Sequence, residues 1–225
     1  MFESKYSNFL TILLVIIIIA VVCLLGYVGY NIYKDHNTTQ GASDYVDAFI
    51  GETETEKPST ENQTATNENV ELPDLANTST EGQVATKKRE KYKGFDVLGT
   101  IEIPATSVKY PVLDKTTKKS LDTAVSALYP ESAELNTSGN VVIVGHNYRN
   151  GTFFSNNKKL KNGDKIYITD LYGKRITYVI YNIFEANQND TSFYNRDTNG
   201  AKEITLSTCT DASNDMRLII EAKEQ

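Results

Sequence analysis

The 225 residues predict a mainly-β domain, a barrel or a sandwich, carried by one membrane-spanning helix. Three observations predict it. Residues 10–30 form a single apolar run. Residues 37–86 are polar, acidic and without any sustained apolar period. From about Phe95 the chain breaks into seven or eight short strand-like runs separated by turn signals.

The apolar run reads "LTILLVIIIIAVVCLLGYVGY", and no charge interrupts the chain between Lys5 and Lys34. At a rise of 1.5 Å per residue, about 20 apolar residues cross a hydrocarbon core of roughly 30 Å. A cleaved signal peptide has a shorter apolar core and a small-residue cleavage site. This run instead leaves through Tyr27, Tyr30 and Tyr33, residues suited to a membrane–water interface. The expected division is a short cytoplasmic tail over 1–9, a signal anchor over 10–33, and the bulk of the chain outside the cell. Cys23 falls within the anchor, preceded by Val22 rather than the small residue that lipidation needs.

Residues 34–94 are expected to be a flexible acidic spacer. Between 37 and 86, ten acidic residues face the single Lys57. Such a composition buries too little apolar surface to offset its ordering entropy. One segment, "SDYVDAFI" from Ser43 to Ile50, has the makings of a short helix capped by Ser43 or Asp44. The spacer ends in the basic cluster "KKREKYK", Lys87 to Lys93. It also carries most of the net charge of −6, because from Phe95 onward 16 acids meet 15 bases. A near-neutral folded part argues against a nucleic-acid partner.

The folded domain is expected to span 95–225. Strands are predicted at "VLGTIEIP" (97–104), "VKYPVL" (108–113), "NVVIVGH" (140–146), "DKIYITD" (164–170), "KRITYVIYNIF" (174–184), "EITLSTC" (203–209) and "MRLIIEA" (216–222). The apolar spacing of "TKKSLDTAVSAL" (117–128) predicts an amphipathic helix.

Three residues carry chemical interest. Cys209 has no partner in the domain, since Cys23 belongs to the anchor, and an unpaired extracellular cysteine is inert, interchain-linked or reactive. His146 is the domain's one histidine and follows the apolar strand "VVIVG". A cysteine and a histidine at two strand exits form the nucleophile-and-base arrangement of thiol catalysis. Arg217 lies on the strand after Cys209, and if the two strands pair it returns beside the thiol. A permanently charged guanidinium there can stabilise a thiolate or an oxyanion. The bland alternative for Arg217 is an ion pair with Asp211 or Asp215.

The combination "TLSTC" (205–209), then Arg217, with "VVIVGHN" (141–147) and "LGTIEIPATSVKYPVL" (98–113) upstream, resembles the sortase family, transpeptidases of Gram-positive cell surfaces. The resemblance covers Phe95 to about Lys223. It implies a closed eight-stranded β-barrel with one or two short helices. It implies that Cys209 attacks the Thr–Gly bond of an LPxTG-like sorting signal to form a thioacyl enzyme. His146 would serve as acid then base, Arg217 would hold substrate and oxyanion, and Thr208 would line the cleft and oxyanion site. The partners implied are signal-bearing surface proteins and an amine of peptidoglycan or its lipid-linked precursor. No metal or organic cofactor is implied. The short stretch "EANQNDTSFYNRDTNGAK" (185–202) would form one wall of the specificity pocket. Class stays open between a compact anchoring enzyme and a class D-like one. The rival readings are a cysteine peptidase that only hydrolyses and a non-catalytic surface assembly module.

Overall fold

The computed structural model describes residues 3–55 and 90–225. It begins with helix α1, Glu3–Thr55. Its apolar stretch is exposed along its whole length and is long and apolar enough to cross a membrane, with a mean hydropathy of 3.3.

The strands follow in order: β1 (Lys91–Tyr92), β2 (Phe95–Ile103), β3 (Val108–Leu113), β4 (Val125–Tyr129), β5 (Gly139–Val144), β6 (Lys165–Asp170), β7 (Arg175–Asn187), β8 (Lys202–Cys209) and β9 (Met216–Glu224). Their spatial order is β1-β2-β3-β4-β5-β8-β9-β7-β6, and β6 returns to pair with β2. Eight strands, β2 to β9, therefore close a barrel, and β1 extends it as a short hairpin. At the closing seam Gly99 adopts φ +148°, and a Cβ there would lie 2.2 Å from the Thr169 carbonyl oxygen. Only glycine lets the two backbones approach so closely.

Alternation along each strand sorts the side chains. Val141, Ile143, Ile204, Leu206, Ile220 and Ala222 point into the barrel core with Ile101, Ile103, Ile166 and Ile168. The outer face of β5, β8, β9 and β7 carries a second apolar cluster of Val142, Ile219 and Ala186, covered by Phe193 from the β7–β8 connection.

Two expectations are corrected. The helix predicted over 117–128 is a single turn, α2 (Lys118–Leu121), followed by β4. Thr117 and Ser120 cap that turn reciprocally. Val125, Ser126 and Ala127 are then buried in the sheet, where β4 runs parallel to β3 and α2 provides the crossover. Tertiary pairing outweighs the helical spacing of four apolar residues. The spacer expected from residue 34 does not begin there, because α1 continues through Thr55. Ala42, Val46 and Phe49 are the reason. They recur at helical spacing and are buried at 0%, 0% and 1% exposure as α1 lies along the barrel. Residues 56–89 of the expected spacer fall outside the described residues, and with them Lys87, Lys88 and Arg89 of the basic cluster, whereas Lys91 and Tyr92 form β1.

Candidate active site

β5 and β8 run side by side in the same direction, with Val144 opposite Ser207. Two residues further on, one chain reaches His146 and the other Cys209. The bonds around them keep the two chains together past the end of the ladder. Gly145 N–H donates to the Ser207 carbonyl at 3.3 Å. Asn147 Nδ2 donates to the Cys209 carbonyl at 2.9 Å and to Asp211 Oδ1 at 2.9 Å. His146 is thus bracketed, one residue on each side, by bonds to the cysteine strand.

Cys209 is half-exposed at the end of β8, and its register partner on β9 is Arg217. Directly opposed residues of an antiparallel pair bring their Cβ atoms to about 4.5–5.5 Å. Arg217 shares the outer face with Ile219. Its guanidinium donates to the carbonyls of Asn214 and Met216 and to Gln188 Oε1. It makes no ion pair with Asp211, which is held by Lys158 and Asn147. Those two donors keep the Asp211 carboxyl below its ordinary range. The backbone thus brings the three residues singled out in the sequence to adjacent strand ends at one end of the barrel.

Thr208 does not join them. Its side chain points to the opposite face, 4% exposed, and its hydroxyl donates to the Gly145 carbonyl at 2.8 Å. Strand alternation dictates this, since the neighbour of an outward cysteine must point inward. Its side chain is thus turned away from the face that carries Cys209. It ties the cysteine strand to the residue before His146.

The loop after His146 folds back on itself, with Phe154 N–H donating to the His146 carbonyl at 3.1 Å. The imidazole lies against Tyr148, ring centroids 4.6 Å apart, and meets Phe153 edge-on at 6.5 Å. Its Nε2 is 3.4 Å from Asp122 Oδ1, just beyond α2. That is ion-pair range for a protonated ring and longer than an ordinary hydrogen bond. The same carboxylate oxygen accepts from the Tyr148 hydroxyl at 2.9 Å. Burial, then the bond to Asp122, push the Tyr148 phenol up to about 12. Asp122 and Tyr148 escaped sequence reasoning, because an aspartate within a helix-spaced run and a tyrosine in a polar loop carry no motif. Their meeting at the histidine depends on the parallel crossover.

The β7–β8 connection packs against the outer face. Tyr194 N–H closes a turn on Thr191, Phe193 packs into the second apolar cluster, and Tyr194 tilts against Tyr129. Asn140 Nδ2 donates to the carbonyls of Phe193 and Tyr194, both at 3.0 Å. Arg196 pairs with Glu203 and, at 3.2 Å, with Glu221. It also donates to Thr205 and to the Phe193 carbonyl. These largely buried charges fix the connection to the barrel. A cavity of about 470 Å³ opens between it and the 129–141 segment, lined by Tyr129, Tyr194, Asn195 and Arg196 among others. Among the described residues no group of three or more His, Cys, Asp or Glu converges to hold a metal.

Comparison with known proteins follows the same geometry. A family model described as Sortase domain matches residues 101–225. Sortase A of Bacillus anthracis is 29% identical over 154 residues, covering 68% of this chain and 67% of that protein. Among solved structures, a lid mutant of sortase A from Corynebacterium diphtheriae superposes with a TM-score of 0.52 at 31% identity, covering 57% of this chain and 70% of that one. A sortase D5 transpeptidase from Clostridium perfringens gives a TM-score of 0.52 at 29% identity, covering 58% and 79%. Sortase C-1 from Actinomyces oris gives 0.52 at 26%, covering 57% and 74%. These neighbours span several classes and favour none. A match that begins within β2 and runs to the last residue identifies the chain as a member of the sortase family, transpeptidases of the cell envelope.

Proposed function

We propose that this sortase cleaves an LPxTG-like sorting signal through a thioacyl enzyme and transfers the surface protein to an amine of the cell wall or its precursor. Cys209 is the nucleophile. Its thiolate attacks the carbonyl carbon of the signal's Thr–Gly bond, and the C–N bond breaks. The leaving amine takes its proton from the His146 imidazolium, and a thioester remains. An incoming amine then attacks that thioester and gives its proton to the neutral imidazole. The C–S bond breaks and the thiolate returns. With Nε2 turned to Asp122, Nδ1 is the nitrogen left for these transfers. Arg217 supplies donors to the oxyanion, a service a planar, permanently charged fork performs well. Thr208 acts through Gly145, as a positioning residue.

The observation that carries this reading is the bracketing of His146 beside Cys209, with Arg217 in register across β9. The wall of Phe193 and Tyr194 supports a groove that takes an extended peptide. The exposed apolar stretch of α1 supports a single membrane anchor with the barrel outside the cell.

The test uses the full chain in detergent with an LPxTG-type peptide, with and without an amine nucleophile, read by mass spectrometry. A transpeptidase yields a thioacyl adduct on Cys209 and an amine-dependent ligation product. Hydrolysis indifferent to the amine would indicate a peptidase, and neither product a binding module. Turnover surviving Cys209→Ala would end the reading.

A further inference from the structure

The juxtamembrane part of α1 is not a passive leash. Past Tyr33 its contacts with the barrel recur at positions 35, 39, 42, 46 and 49, alternating steps of four and three that keep one helical stripe on one surface. Asp35 Oδ2 accepts from Asn150 Nδ2 at 2.8 Å. Thr39 Oγ1 shares a hydrogen bond with the Tyr110 hydroxyl at 3.3 Å. Ala42, Val46 and Phe49 are buried. Tyr45 packs on the Tyr92 ring at 5.0 Å, and Asp47 pairs with Lys109.

The order of these contacts along the helix carries a direction. The one nearest the apolar stretch, at Asp35, is made to the loop that follows His146. Those furthest from it, at Tyr45 and Asp47, are made to β1 and β3. Asp35 stands only two residues beyond Tyr33, about 3 Å along the axis at 1.5 Å per residue. The polar interfacial layer on each side of a bilayer is roughly 6 Å deep. Residues 45–49 stand roughly 15–20 Å further out along the helix.

We infer that docked α1 acts as a strut that turns the catalytic end of the barrel toward the lipid headgroup layer. The His146 loop and the 210–215 loop beside Cys209 then face the bilayer, and the β1–β2 hairpin is held away from it. This rests on the reading that α1 spans a membrane. The strut also reaches the histidine. The Tyr110 hydroxyl that meets Thr39 accepts from Phe153 N–H at 3.1 Å. The Phe153 ring stacks on Tyr110 at 5.1 Å and edges onto His146. The docking contact and the catalytic loop therefore share side chains. The groove would open onto the surface where lipid-anchored reactants lie, at a height set by helix geometry.

The experiment uses the full chain with Cys23→Ser and Cys209→Ala, carrying one fluorophore at Ala212→Cys or at Lys91→Cys. Both sites are exposed, the first on the loop between Cys209 and Arg217, the second on the hairpin. The protein is reconstituted into phosphatidylcholine–phosphatidylglycerol vesicles with and without nitroxide-labelled headgroups. Headgroup quenching is expected to be at least threefold stronger at 212 than at 91. Val46→Asp, or Asp47→Lys against Lys109, is expected to erase that difference. Equal quenching at both sites, or stronger quenching at 91, in protein that floats with the vesicles would overturn the strut alone. So would a contrast that survives both undocking variants. Failure to float with vesicles would overturn the membrane reading and the strut together, whatever the peptide assay shows.

Discussion

Gly145 sits between the last residue of β5 and His146, and its substitution tests how tightly the histidine is held. A Cβ at this position would lie 2.8 Å and 3.0 Å from two ring carbons of Phe154 and 2.9 Å from Val125 Cγ1. Carbon pairs pack comfortably at about 3.5–4.0 Å, so Gly145→Ala creates an overlap of roughly 0.5–1 Å on two sides. Phe154 and Val125 are both 0% exposed and have nowhere to retreat. Gly145 is not at positive φ, so the cost is steric and not conformational. The give must come from the backbone, and Phe154 N–H is bonded to the His146 carbonyl, so the two move together. Overpacking of this kind costs about 1–3 kcal/mol. For a barrel of this size that is a drop in Tm of roughly 4–12 °C. A catalytic group displaced by about 1 Å loses on the order of 100-fold in rate. Calorimetry and peptide ligation kinetics on the full chain read both numbers, and Gly145→Ala with Phe154→Leu should recover part of each. A kcat/KM within twofold of wild type and an unchanged Tm would refute the claim that His146 is positioned by this contact.

Other expectations follow from the same geometry. Arg217→Lys should lower kcat by about 10–100-fold, because a point-charge ammonium cannot reproduce the planar donor fork; near-normal turnover would make Arg217 structural. Asp122→Asn should lower kcat/KM roughly 3–10-fold with Tm nearly unchanged, since an exposed ion pair contributes only about 0–1 kcal/mol to stability. Wild-type turnover in that variant would remove Asp122 from the proton-transfer assembly. Arg196→Met should cost about 3–5 kcal/mol by leaving Glu221, 6% exposed, without its cation and with only Asn182 Nδ2 donating to it. It should also raise KM for the peptide as the Phe193–Tyr194 wall loosens, and an unchanged KM would separate that wall from substrate binding. Tyr148 and Tyr178 both have phenols raised above the ordinary value near 10. Above about pH 10 the unfolded chain then loses these protons before the folded one, so stability falls as pH rises toward 12. Tyr148→Phe should flatten part of that alkaline limb in urea titrations, and an unaltered slope would count against the raised phenol that burial and then the Asp122 bond produce.

The barrel was legible because its strands are bounded by turn residues and because β3 and β8 carry unbroken strand patterns. "VKYPVL" is strand β3 residue for residue. Cys209, His146 and Arg217 were legible as rare chemical types at strand ends. What the sequence hid was set by tertiary pairing. Ser126 and Ala127 carry no strand propensity of note, and they become strand only because β3 and β5 offer partners on both sides. Thr208 sits one residue from Cys209, yet the pleat sends it to the other face. In α1, the apolar residues among acids gave only the makings of a short helix over 43–50, not a helix running on through Thr55. They suffice because a continuous helix delivers them to a ready surface.

The register that brings the site together also sets when it can assemble. Cys209 and Arg217 are eight residues apart on one hairpin, and such local contacts form quickly. His146 reaches them only through the parallel pairing of β5 with β8, with the 62 residues 147–208 intervening. Contacts that close long loops come late in folding, since their entropy must be met before they contribute. A newly made chain therefore carries its thiol and guanidinium as neighbours well before His146 joins them. On the proposed mechanism, acyl-transfer reactivity at Cys209 would arrive only with barrel closure. On that mechanism a half-folded molecule would hold on to no substrate.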